Sequence, residues 1–299
     1  MGPRDACAAR RLGRSSLTAR FEAFAAIDWS GAKGSRHKGI AVACCERGAA
    51  PPRLVAAPRG IWSRGEVLDW LLARREAPLL VGFDFSFSAP FVTRGAHLPG
   101  ETATATAPDL WAYVDAHSPD ADLGAASFLE ARRGRHFYLG AADGAKRDFL
   151  HWRACEIAAT GLTKPTTVFD AIGAAQVAKA SFAGMRLLHH LGGRVPIWPF
   201  DPVPATGALV VEIYTTVAAR AAGVPRGRSK LRDAAALDTA LAALGSEPHA
   251  PLAAYDDHAT DAILAAAWLR TVADRADLWH PPMLTPQIAR SEGWTFGVT

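Results

Sequence analysis

Acidic residues in this chain stand where short apolar runs stop. Asp28 closes FAAID, Asp84 closes LLVGFD, Glu212 lies inside ALVVEIY, and Asp256, Asp257 and Asp261 open the last strongly apolar helix. Functional sites of α/β sheets gather at strand ends. A carboxylate held there is poorly solvated, and like-charged neighbours raise one another's pKa. A divalent cation relieves both strains, and Mg²⁺ and Mn²⁺ favour oxygen ligands. Two such ions about 4 Å apart activate water and stabilise the leaving oxygen in phosphodiester cleavage.

The candidate ligand and catalytic set is therefore Asp28, Asp84 and Asp261. Glu212 and either Asp257 or His258 are candidates for a further ligand or for orienting metal-bound water. His258 stands three residues and Asp257 four residues before Asp261, both on its helix face. Ordinary roles compete for these positions. A strand-end Asp is commonly a turn or cap residue, and Asp257 suits a helix N-cap with Asp261 favoured by the macrodipole one turn on. A lone helical His is commonly structural. Glu212 is different, because strand alternation sends it away from both Val211 and Ile213. Lys33, Arg153 and Lys230 are candidate phosphate contacts.

The elements that must position these groups follow from pattern. Phe24–Asp28, Gly39–Cys45 and Arg53–Ala57 read as a meander of short strands. Arg64–Arg75 reads as a helix capped by Ser63, with Glu66 three residues on. Leu79–Asp84 and Ala208–Tyr214 have the nearly continuous apolar character of strands buried on both faces. Helices are expected over Ala171–Leu191 (weakened by Gly173 and Gly184), Thr216–Ala222, Leu231–Leu244 and Asp257–Thr271. This order suits a mixed sheet flanked by helices. A domain over 23–275 results, with a largely helical insertion at about 90–195 forming a lobe or lid, an Arg-rich disordered tail over 1–22, and a C-terminal extension over 276–299.

Four short stretches together resemble a known family. They are Ile27-Asp28-Trp29-Ser30-Gly31-Ala32, Val81-Gly82-Phe83-Asp84, Val211-Glu212-Ile213-Tyr214 and Asp257-His258-Ala259-Thr260-Asp261-Ala262. In this order they resemble a domain-of-unknown-function family described as predicted RNase H-like nucleases. Val168–Met185, Ile197–Asp201 and Arg153 with Glu156 are similar to its middle region, so the likeness runs from about residue 24 to 272. It implies an RNase H-like fold in which Asp28 lies beside Asp84 and Asp261 completes the set, holding Mg²⁺ or Mn²⁺. In the Holliday-junction resolvase branch of that superfamily the final helix carries D-x-x-D, occasionally with His first, which leaves both Asp257 and His258 open as ligands.

Two other readings use the same residues. Asp28-Trp29-Ser30-Gly31-Ala32-Lys33-Gly34 also resembles the first phosphate loop of actin-like ATPases and sugar kinases, where small residues let backbone N–H groups approach phosphate. A non-catalytic scaffold is the third reading: Trp29, Trp62, Trp111, Trp152, Trp198 and Trp294 fall at element ends, where they could stack on bases. The cluster Arg132, Arg133, Arg135 with His136 could touch phosphates.

Bulk properties set outer bounds. A net charge of +4 permits a nucleic-acid partner without requiring one. No apolar run reaches the roughly 20 residues of a membrane span. The four cysteines form no C-x-x-C pair and read as buried thiols of a reducing compartment, so a cytoplasmic location is expected. The Arg-rich start is compatible with a targeting peptide, but it has no apolar core for secretion. A homodimer is compatible with the sequence.

Overall fold

A computed structural model describes residues 20–161, 166–172, 177–225 and 230–299. The chain is an α/β protein built on a mixed six-stranded sheet flanked by helices. The first three strands, β1 (Ala23–Asp28), β2 (Ala41–Glu46) and β3 (Arg53–Leu54), form an antiparallel meander. Helix α1 (Arg64–Leu72) then crosses to β4 (Leu79–Phe83), which pairs parallel to β1. Two further parallel strands, β5 (Ile197–Trp198) and β6 (Leu209–Glu212), complete the order β3-β2-β1-β4-β6-β5. Only β5 has no counterpart among the expected strands. At two residues it is too short to carry a periodic signal.

Strand alternation separates two cores. Ala25, Ile27, Val81, Phe83 and Val210 face one side, where α1 packs with α2 (Ala107–Ala116), α3 (Ala126–Glu130) and α5 (Val177–Leu191). A short α4 (Ala154–Ala158) lies between α3 and α5 in the chain. Phe24, Ala26, Leu80, Leu209 and Val211 face the other side, against α6 (Thr215–Ala221), α7 (Ala234–Ala243) and α8 (Asp257–Val272). Helix α8 is buried from Ala262 to Leu269, because it is squeezed between the sheet and α6 and α7. A helix enclosed this way is apolar all round rather than striped. A Cβ at Gly82 would meet Leu269 and Ile213 at 2.8–2.9 Å, so the glycine lets α8 lie close on the sheet.

Several expectations are corrected. The stretch between β4 and β5 is no separate lobe: its α2, α3 and α5 supply one of the sheet's two helical faces. Gly184 does not break α5; a Cβ there would overlap the Phe85 ring at 2.3 Å, so it is a packing glycine. Residues 276–299 are not an appendage. Helices α9 (Ala276–Trp279) and α10 (Pro286–Ser291), together with Trp279, Trp294 and Phe296, pack into the core under α8. The expected tail lies outside the described residues as far as residue 19. Beyond it, Arg20 donates to the Pro204 carbonyl and buried Phe21 stacks on Trp279. Trp29, Trp62, Trp111, Trp198 and Trp294 are buried and serve packing rather than base stacking, Trp111 from the middle of α2, while Trp152 is half-buried. Cys44, Cys45 and Cys155 are free thiols pushed by burial up to about 12, 11 and 12 respectively. Among the described residues, no helix is long and apolar enough to cross a membrane.

Candidate functional site

The parallel register Ile27↔Phe83 brings Asp28 and Asp84 side by side where β1 and β4 end. Asp28 shares the parity of Phe24 and Ala26, so its side chain emerges on the α8 face. There His258 Nδ1 lies 2.7 Å from Asp28 Oδ1. The Trp29 backbone N–H donates to Asp84 Oδ1 at 2.7 Å, tying the two strand ends together. The N-terminus of α8 supplies the rest. Asp256, not Asp257, is its N-cap, accepting the Ala259 N–H at 2.8 Å. That leaves His258 and Asp261 to face the strand ends, while Asp257 turns to Lys230 and Arg232. Gly39 leaves room for the imidazole: a Cβ there would sit 3.3 Å from the His258 ring.

The electrostatics agree with this convergence. Burial, then the Asp28 and Asp261 charges, push the Asp84 carboxyl well above its ordinary value. Asp28 is raised by burial, against the pull of its His258 hydrogen bond. Asp261 is pushed up to about 6, mainly by burial, with Asp28 adding to the shift and Lys230 opposing it. The hydrogen bond to Asp28 raises His258. Lys230 Nζ lies 3.2 Å from Asp261 Oδ2 and 3.3 Å from Asp257 Oδ2, and Arg232 Nη2 lies 3.0 Å from Asp257 Oδ1. Lys230, expected to contact phosphate, is thus engaged by the acids themselves. Carboxylate oxygens are the donor class that Mg²⁺ and Mn²⁺ prefer, so the chemistry of Asp28, Asp84 and Asp261 fits such an ion. Among the described residues, no group of three or more His, Cys, Asp or Glu side chains is drawn together closely enough to hold a metal ion. The amide and imidazole bonds on Asp28 and Asp84 and the ammonium on Asp261 hold the acids in an open arrangement.

Glu212 does not join this set. It has the parity of Val210, and its register partner Phe83 faces the insertion helices, so its carboxylate points to the opposite face from Asp28. There it is 3 % exposed and fully engaged. Arg153 binds it through both terminal guanidinium nitrogens, the Phe87 N–H donates at 2.7 Å and Thr295 Oγ1 at 2.6 Å. Arg153, 1 % exposed, also donates to Glu156 at 3.0 Å and to the Glu292 carbonyl at 3.1 Å. The structure therefore replaces two expectations: Glu212 is not an available metal ligand, and Arg153 is not an available phosphate contact. Both are committed to a buried ion-pair network that joins β6, α4 and the C-terminal segment.

The loop after β1 is held by a residue the sequence did not single out. Arg64, fully buried, donates to the carbonyl of Ser30 at 2.8 and 2.9 Å, of Ala32 at 2.7 Å and of Asp122 at 3.0 Å. Asp122 in turn accepts the Arg64 and Gly65 N–H groups and pairs with His37 Nε2, each at 2.9 Å. Gly31 presses on α5, where a Cβ would fall 2.2 Å from the Ala180 nitrogen. The loop's carbonyls are thus the groups fixed in place, and the Ala32 N–H is turned onto Ser30 Oγ at 3.3 Å. Such a loop positions Asp28 rather than presenting a row of amides to phosphate. Lys33 stands exposed at its tip. No local signal marks Arg64, since an arginine opening a helix is ordinarily a surface residue. At the Asp256-Asp257 doublet the sequence pointed to Asp257 as the cap, and the structure gives that role to Asp256.

The basic cluster in the insertion is largely neutralised. Arg132 and Arg135 pair with Glu101 at 3.1 and 3.4 Å, and Arg133 lies 2.9 Å from both Asp143 and Glu130. His136 is buried, with burial pulling it down to about 4. In comparisons with protein-family models, with curated proteins and with solved structures, nothing matches this chain, so the geometry of the strand-end acids carries the functional reading.

Proposed function

We propose that the chain is a metal-dependent phosphodiesterase of RNase H-like fold that hydrolyses nucleic acid. The supporting architecture is an antiparallel meander followed by strands parallel to β1, with acids where β1 and β4 end and at the start of the helix covering them. One observation carries the reading. Asp28, Asp84 and Asp261 come from three elements far apart in sequence, and the charges of Asp28 and Asp261 raise Asp84 while that of Asp28 raises Asp261. An uncompensated group of this kind is costly to the fold, and perturbed carboxylates gather at functional sites.

Asp28, Asp84 and Asp261 would hold Mg²⁺ or Mn²⁺, which supplies charge neutralisation and acidifies bound water. His258 keeps Asp28 in one orientation through its Nδ1 bond and leaves its half-exposed ring toward solvent. The Trp29 amide fixes Asp84, and the Arg64 clamp fixes the loop that carries Trp29. Lys33 offers a cation for the substrate backbone.

The test is Mn²⁺ calorimetry on wild type, Asp28→Asn, Asp84→Asn and Glu212→Gln, followed by cleavage assays on single- and double-stranded DNA and RNA. Saturable binding lost in the two Asp variants and kept in Glu212→Gln is expected. Absence of binding in wild type would overturn the reading.

A further inference from the structure

The strand-end acids fall into two halves with different company. In one half, Asp28 and Asp84 have only an imidazole and backbone amides as hydrogen-bond partners among the described residues. In the other, Asp257 and Asp261 share one ammonium, with Lys230 Nζ 3.3 and 3.2 Å from an oxygen of each, and Arg232 closes on the outer oxygen of Asp257. An ammonium is a compact point charge with three donors, able to bridge two carboxylates as a small cation does.

We infer that Lys230 fills one of the two cation places of this acidic site, so that the protein binds a single divalent ion, held between Asp28 and Asp84. The inference rests on the metal reading above and deepens it. The Lys230 side chain is about half exposed, so it reaches Asp257 and Asp261 from the solvent side, while Asp28 and Asp84 keep to their imidazole and amide partners.

The experiment is Mn²⁺ titration by calorimetry, with electron paramagnetic resonance of the loaded protein to detect neighbouring ions. Wild type, Lys230→Met, Lys230→Gln and Asp84→Asn are compared, each checked for native circular dichroism. One ion per wild-type chain is expected, two in both Lys230 variants with a spin-coupled Mn²⁺ signal, and none in Asp84→Asn. Two ions in wild type, or one in each Lys230 variant, would overturn the role of Lys230 and leave the metal site standing. No ion in wild type or in any variant would overturn the metal site together with the inference.

Discussion

Two groups of acids sit at the ends of the same parallel strands on side chains of opposite parity, and Asp84 of one group lines a cavity with Glu212, Glu156 and Arg153 of the other. On the insertion face, Glu212 and Glu156 share Arg153, and Glu292 accepts backbone N–H groups from Phe91, Val92 and Ala154 at 2.6–2.7 Å. On the α8 face, Asp261 pairs with a partly exposed lysine, Asp28 with a histidine, and Asp84 with a backbone N–H. The first group is satisfied by the protein itself. The second has fewer partners, and all three of its carboxyls are raised, as burial also raises Glu156 in the first. A fold can bury charge for cohesion or hold it in tension for a ligand, and here the two uses lie about one strand apart.

The largest expected effect breaks the satisfied side. Arg153→Met strands Glu212 and Glu156 without their cation, and removal of one partner of a buried pair costs about 3–5 kcal/mol. Urea unfolding at pH 7.5 measures it. A loss below about 1 kcal/mol would dissolve the contrast.

The opposite sign is expected on the α8 face. Asp261 is held at about 6, above its ordinary 3.8. A raised folded-state pKa means that its stabilising contribution is full below pH 3.8 and is lost as pH rises through about 6. The ionised form therefore burdens the metal-free protein by about 3 kcal/mol at neutral pH and above. Asp261→Asn should accordingly stabilise the metal-free protein at pH 8 by about 2 kcal/mol and leave stability at pH 4 nearly unchanged. Thermal unfolding across that range, with chelator present, reads the difference. Destabilisation at pH 8 would place Asp261 with the satisfied acids.

Thr295→Val removes one donor from Glu212 while preserving shape, a loss of about 1.5–3 kcal/mol for a bond to a charged group. Mn²⁺ affinity should not move with it. A parallel fall in affinity would show that the two faces communicate. Lys33→Ala should be smallest: stability within about 0.5 kcal/mol of wild type. The salt dependence of nucleic-acid binding should become shallower by about one ion. An unchanged salt slope would remove Lys33 from the substrate path.

Much of this arrangement was legible from residue pattern, and the failures have physical causes. The strands carrying Asp28 and Asp84 announce themselves as apolar runs, and Ser63 with Glu66 caps α1 as expected. The error at Glu212 is one of parity. An acid in an apolar strand demands a partner, but whether it shares a face with Asp28 depends on the register Phe83↔Glu212, which no local pattern encodes. Arg153 and Lys230 were read as cations free for phosphate. Their partners lie 59 and 31 residues away, beyond the reach of spacing arguments. Residues 276–299 carry weak periodicity because short helices and single tryptophans fill gaps between elements rather than forming a face.

The seam made by Glu292 and Thr295 also bears on how the protein comes into being. Glu292 reaches Phe91 and Ala154 across 201 and 138 residues, while Trp294 and Phe296 fill the core under α8. Contacts so distant along the chain form late and slowly. During synthesis, β1 to β4 can pair while the ribosome is still at work, yet Arg153 and Glu212 stay incompletely partnered until residues 292–298 have emerged. A nascent chain halted shortly before that point would carry an open apolar slot and an unfinished charge network, the kind of surface that holding chaperones grasp. Release from that state is a zippering step performed by residues 292–298.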